Sequence, residues 1–170
     1  MMGLFYYDEK IRIYESVLDY KSAIIYLEGL FEQSGKIQYL NTLIASAWYY
    51  FIEGGVNLAP PDYDDTFFLC IWKKYLELGN KDYRLDPEFC FVAGYTCYLH
   101  GFYVDEKSNH EERGLKFIKH CIDSTCNKTM KAIATSILDG PAKKRRVNVE
   151  ARNNLFPSDS FIDKYFRAVV

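Results

Sequence analysis

A chain of 170 residues, 49% of them hydrophobic and 17% aromatic, is long enough for one domain with a real core and lies far from the composition of disorder. No apolar run reaches the roughly 18 residues of a membrane-crossing helix, and MMGLFYYDEKIRIYE brings in charge too early for a secretory leader, so a cytoplasmic protein is expected. The net charge of −2 steers nothing alone, but it is unevenly spread: residues 1–65 sum to −6, 66–110 to −1 and 111–170 to +5.

Residues 4–7 (LFYY) are apolar and should pack down. A first helix is predicted from Asp8, with Ile11, Tyr14, Val17 and Leu18 on one face and Asp8-Glu9 suiting its positive end. Whether it breaks near Asp19-Tyr20 or runs on is left open by the pattern. Residues 19–55 then read as a helical hairpin that organises the chain. Ala23, Tyr26, Leu27, Leu30 and Phe31 share a face, a turn falls at Ser34-Gly35, and the second helix ends at Gly54-Gly55. That second helix carries Tyr39, Leu40, Leu43, Ile44, Ala47, Trp48, Phe51 and Ile52, an apolar surface too wide for one neighbour to cover.

VNLAPPDYDD is a loop, and Asp64 or Asp65 is expected to cap a helix that stops at Gly79. Asp86-Pro87 opens the next, PEFCFVAGYTCYLHG, which is apolar nearly all round and should be the most buried element. FYVDEKSNH is a surface connection with Ser108 and Glu111 spaced as a capping box. HEERGLKFIKHCID and NKTMKAIATSILDG form two further helices, the latter closed by Gly140-Pro141. A polar stretch to Asn154 reads as irregular, and Pro157-Ser158-Asp159 starts a last helix with Phe161, Ile162, Tyr165 and Phe166.

The second helix of each pair repeats one pattern, an alanine and then a terminating glycine eight residues on: Ala47/Gly55, Ala93/Gly101 and Ala132/Gly140. The alanine lets a neighbouring helix approach, and the glycine supplies a left-handed cap. The predicted fold is therefore all-α: about three stacked antiparallel helix hairpins in a tetratricopeptide-like bundle, plus a C-terminal helix, in a single domain spanning 1–170. The spacing is not the 34 residues of a tetratricopeptide array.

Residues for chemistry are sparse. There is no GxGxxG or GxxxxGK[ST] loop and no CxxC among the five cysteines, Cys70, Cys90, Cys97, Cys121 and Cys126, which read as buried, reduced thiols. Cys97-x2-His100 with His120-Cys121 has no recognised zinc spacing, and Asp62, Asp64 and Asp65 lack the glycine and closing glutamate of a calcium loop. No catalytic, cofactor or metal residue is expected, and the chain is read as a non-enzyme. The basic run at residues 143–146 (KKRR) is a solvated loop or, in the alternative, an RNA contact.

Trp72-Lys73-Lys74-Tyr75-Leu76, Phe91-x-Ala93-Gly94-Tyr95, Leu99-His100-Gly101-Phe102 and Gly114-Leu115, in that order, resemble segments of small all-helical bacterial immunity proteins. The likeness covers roughly residues 20–138. It implies neutralisation of a toxin domain delivered by a contact-dependent growth inhibition system, some such toxins being EndoU-type ribonucleases. The expected partner is one protein toxin domain, a nuclease, with no membrane and no direct nucleic acid. An inhibitor of this kind needs aromatic anchors and charge opposite to the partner's cleft. The acidic first third offers Glu53, Asp62, Asp64 and Asp65 with Tyr49, Tyr50 and Tyr63 beside them. The competing readings are a helical-repeat adaptor for host peptides and an RNA-binding protein.

Overall fold

The computed structural model describes residues 3–54, 63–104, 109–139 and 149–169. They form α1 (Glu9–Ser16), α2 (Tyr20–Ser34), α3 (Ile37–Gly54), α4 (Asp65–Asp82), α5 (Pro87–His100), a three-ten turn (Gly101–Tyr103), α6 (His110–Ser124), α7 (Lys128–Asp139), α8 (Val149–Leu155) and α9 (Phe161–Val169). The described residues hold no strand, so the fold is an all-α bundle. No helix among them is long and apolar enough to cross a membrane.

Helices α1, α2, α4, α5 and α6 start where a side chain supplies an acceptor for their unpaired N–H groups. Asp8 accepts from Ile11 N, Asp19 from Ser22 N, Asp64 from Phe67 N, and Asp86 from Glu88 N and Phe89 N with Pro87 behind it. The cap of α6 is Asn109, which accepts from Glu112 N and returns an amide bond to its carboxylate. The expected Ser108 lies outside the described residues.

Between α1 and α2 the chain turns through Leu18 at φ 60. The Leu18 N–H donates to Glu15 O and the Asp19 N–H to Tyr14 O. That is a Schellman closure with leucine in the place where glycine is the usual occupant. Gly35, at φ 62, closes α2 by the simpler left-handed motif, its N–H donating to Phe31 O at 2.7 Å.

Three expectations are corrected. α4 runs through Gly79 to Asp82, because Gly79 is a packing residue: a Cβ there would sit 2.2 Å from the Phe89 ring. Gly101 has φ −60, so α5 ends by tightening into a three-ten turn rather than by a left-handed cap. Gly55 and Gly140 lie outside the described residues. The stretch before Asn154 is the helix α8, not an irregular tail.

Helix α3 is the axis of the bundle, buried from Leu40 to Trp48. It packs on α2, α4, α5 and α9, which is why its apolar surface exceeds one stripe. Helix α5, all of whose residues from Phe89 to Cys97 are buried, meets α6 in the closest helix pairing, where Gly94 and Gly114 face each other. The N-terminal segment is sewn to the C-terminal one: Leu4 N–H donates to Leu155 O at 3.1 Å, and the Phe5 ring packs on Phe156 and Phe166 at 6.0 and 5.2 Å.

Glu15 is a polar strut inside this seam. It is only 5% exposed, and its carboxylate accepts from the Tyr50 hydroxyl at 2.9 Å and from Phe161 N at 3.4 Å, joining α1, α3 and α9. Burial raises its pKa above the ordinary 4.5, against the pull of the hydrogen bonds from Tyr50, Phe161 and Tyr7. The folded state therefore holds this proton more tightly than the unfolded chain. Its contribution is complete below about pH 4.5 and is lost as pH rises through the folded value. Asp163, also raised by burial, acts in the same sense, while Asp8 is lowered and acts in the opposite one. Denaturant midpoints from pH 4 to 8 should show the Glu15→Gln variant gaining on wild type as pH rises. A constant difference would mean that Glu15 is ionised in the fold at no cost.

Candidate partner-binding end of the bundle

The acidic corner forms where α3 ends and α4 begins. Tyr63 donates its hydroxyl to the carbonyls of Tyr50 at 2.7 Å and Phe51 at 3.1 Å, closing the end of α3. Its ring lies on Phe68 and over Gly54, where a Cβ would stand 2.2 Å from the ring. Burial, with the charges of Asp65 and Asp64 adding, pushes the Tyr63 hydroxyl up to about 12. Asp64 and Asp65 are exposed on the first turn of α4, where they offset its positive end. Asp62 lies outside the described residues.

Tyr50 is a correction: it is a core residue and no surface anchor. Its ring stacks on Tyr20 at 4.5 Å, and its hydroxyl is spent on Glu15. The reason is helical phase, since Tyr50 stands on the same face as Ala47 and Leu43, three and seven residues back. Tyr49, one residue earlier, is half-buried and edge-on to Tyr165 of α9 at 5.4 Å. Glu53 is half-buried within electrostatic reach of Tyr49, Tyr165 and His100. The seven residues thus divide into an α4 group (Tyr63, Asp64, Asp65) and an α9 group (Tyr49, Glu53), with Tyr50 behind and Asp62 undescribed.

Sequence reasoning placed Phe102 and Tyr103 in a surface connection and assigned them no role. In the structure they form an aromatic plate at the ends of α3 and α5. Phe102 is 53% exposed, Tyr103 42% and the neighbouring Leu99 37%. The two rings lie 4.2 Å apart at 36°, and Tyr103 stands edge-on to Phe51 at 4.9 Å. The available signal was two consecutive aromatic residues after a helix-ending glycine, where no helical phase buries them both. Behind the plate, the Trp48 indole N–H donates to His100 Nδ1 at 3.2 Å. Burial lowers the His100 pKa below 6.5, against the influence of Glu53, and the accepting Nδ1 requires the neutral ring.

Two of the five thiols, Cys70 and Cys126, are exposed, against the expectation that all are buried, and the three buried ones offer little nucleophilic chemistry. Cys90, Cys97 and Cys121 are buried, and that burial pushes them to about 12, 11 and 12. Among the described residues no group of three histidine, cysteine or acidic side chains is placed to hold a metal ion. A pocket of about 250 Å³ lies between Tyr7, Arg12, Glu15, Phe161 and Lys164, with both signs of charge on its wall. Comparison with protein-family models, curated proteins and solved structures finds no match to this chain.

Proposed function

We propose that this chain is an immunity protein that binds one folded toxin domain, a nuclease, in the bacterial cytoplasm and neutralises it by occlusion. The observation that carries this reading is the end of the bundle where α3, α4 and α5 meet. Asp64 and Asp65 are exposed there, and Phe102 and Tyr103 present exposed aromatic side chains held against the half-buried Phe51 and His100. Aromatic anchors on a rigid support with a carboxylate rim are what a binder of a cationic cleft requires. The protein needs no reaction of its own for this task.

The test is co-expression with the product of the gene immediately upstream. Rescue of growth, together with a 1:1 complex of nanomolar affinity, is expected. Changing Asp62, Asp64 and Asp65 together to alanine should weaken the complex and flatten its salt dependence. Failure to rescue with no stable complex would remove the reading. Micromolar binding to several extended peptides would replace it with the adaptor reading.

A further inference from the structure

The exposed aromatic plate and the charge around it point to the same kind of ligand. Helices α3 and α5 run in the same direction and finish side by side, as the Phe51–Tyr103 and Trp48–His100 contacts show. Their C-terminal carbonyl ends therefore meet at one place, where the Tyr63 hydroxyl takes up the Tyr50 and Phe51 carbonyls of α3 and the start of α6, at His110, packs on Gly101. Such ends ordinarily carry a lysine or arginine, yet the last turn of α3 has no basic residue. The last turn of α5 has only His100, whose ring is neutral while it accepts from Trp48. Glu53 adds a negative charge within reach of His100. In front of this stand Phe102 and Tyr103, whose ring faces are themselves electron-rich and attract a cation placed over them. The surface is complementary to a flat cation that also buries apolar area.

We propose that the plate formed by Phe102 and Tyr103, flanked by Leu99, is the docking surface for a basic protein face and that it seats an arginine side chain of that partner. Guanidinium fits better than ammonium because it is planar, weakly hydrated and stacks on rings. The inference rests on the reading of the chain as a protein-binding inhibitor, and it moves the centre of that contact from the acidic corner to the plate. Asp64 and Asp65 then steer the approach and Phe102 and Tyr103 hold the partner. Loss of the carboxylates slows association, whereas loss of the rings speeds dissociation.

Two measurements on the full chain decide it. In the first, the purified upstream-encoded protein is titrated against wild type, Phe102→Ser with Tyr103→Ser, and Val17→Ser, an exposed apolar position just after α1. Helical circular dichroism checks that each variant is folded. The double variant should bind about 100-fold more weakly, mainly through faster dissociation, and Val17→Ser should match wild type. Unchanged affinity of the folded double variant overturns the proposal and leaves the inhibitor reading standing. In the second, a hexa-arginine amide peptide and hexa-lysine amide are titrated at low salt while amide and aromatic resonances are followed. Shifts should centre on Leu99, Phe102 and Tyr103 and be larger for arginine. Shifts centred elsewhere, or equal for both peptides, overturn the proposal. If the upstream protein does not bind wild type at all, the toxin reading falls while the peptide titration still decides the plate.

Discussion

Replacing Gly114 by alanine is expected to lower stability by about 3 kcal/mol, at the upper end for overpacking, measured as a fall in denaturant midpoint at unchanged slope. A Cβ at this position would lie 2.5 Å from Tyr98 N, 2.8 Å from Tyr98 Cα and 2.9 Å from the Gly94 carbonyl oxygen. All three are backbone atoms of α5, so no rotamer change relieves them. The two helices must separate, and that loosens Ile118, Cys121 and the edge-on pair Phe89–Phe117 at 5.6 Å. Alanine's better helix propensity returns only about 0.5–1 kcal/mol. Gly29 provides the contrast within the same protein. It lies in the interior of α2 with nothing within 4 Å of an added Cβ. Gly29→Ala should therefore raise stability by about 0.5–1 kcal/mol. If Gly114→Ala were neutral, α5 and α6 could not approach as closely as they do.

Trp48→Ala is expected to cost about 4 kcal/mol, in the range for emptying a large aromatic from a core. The indole is 1% exposed and meets two other helices: Tyr95 and His100 of α5 at 5.8 and 5.7 Å, Tyr165 and Phe166 of α9 at 5.3 and 6.5 Å. Its removal also takes away the donor that His100 Nδ1 accepts from. The damage should be greatest at α9, a short helix that depends on this contact and on Phe5 and Phe156 for its seat. Amide exchange in the variant should accelerate in α9 well before α3 or α5. Uniform acceleration across the bundle would show that α9 has no separate docking step.

Which parts of this structure were legible in the sequence follows from how local each signal is. Asp8, Asp64 and Asp86 announce helix starts because a cap works within three residues. The α1–α2 break was not legible because Leu18, not glycine, occupies the left-handed position. Gly79 and Gly101 misled for the reverse reason: each is demanded by a side chain from elsewhere, Phe89 and His110, and neither is a left-handed cap. In the candidate site, Tyr49 and Tyr50 are indistinguishable by composition. One step of helical phase sends the first to a half-exposed edge and the second to Glu15. The exposed plate depends on two helices finishing side by side, a tertiary fact with no local signature.

The seam between the first and last described segments also sets an order of events. Leu4 bonds to Leu155 and Glu15 to Phe161, the latter across 146 residues. Closing a loop of that length carries an entropic cost of roughly 4 kcal/mol, growing as the logarithm of its length. A chain emerging from the ribosome can assemble α2 to α7 pairwise while it is still being made, but it cannot seal Leu4, Phe5 and Glu15 until α9 has been synthesised. The Phe161 side of the Glu15 carboxylate is thus completed only after α9 is made, while Tyr6, Asp8 and Glu15 already hold to α2 and α3 through Thr42, Tyr26 and Tyr50. The seam is a long-range clasp added to a segment that is already seated.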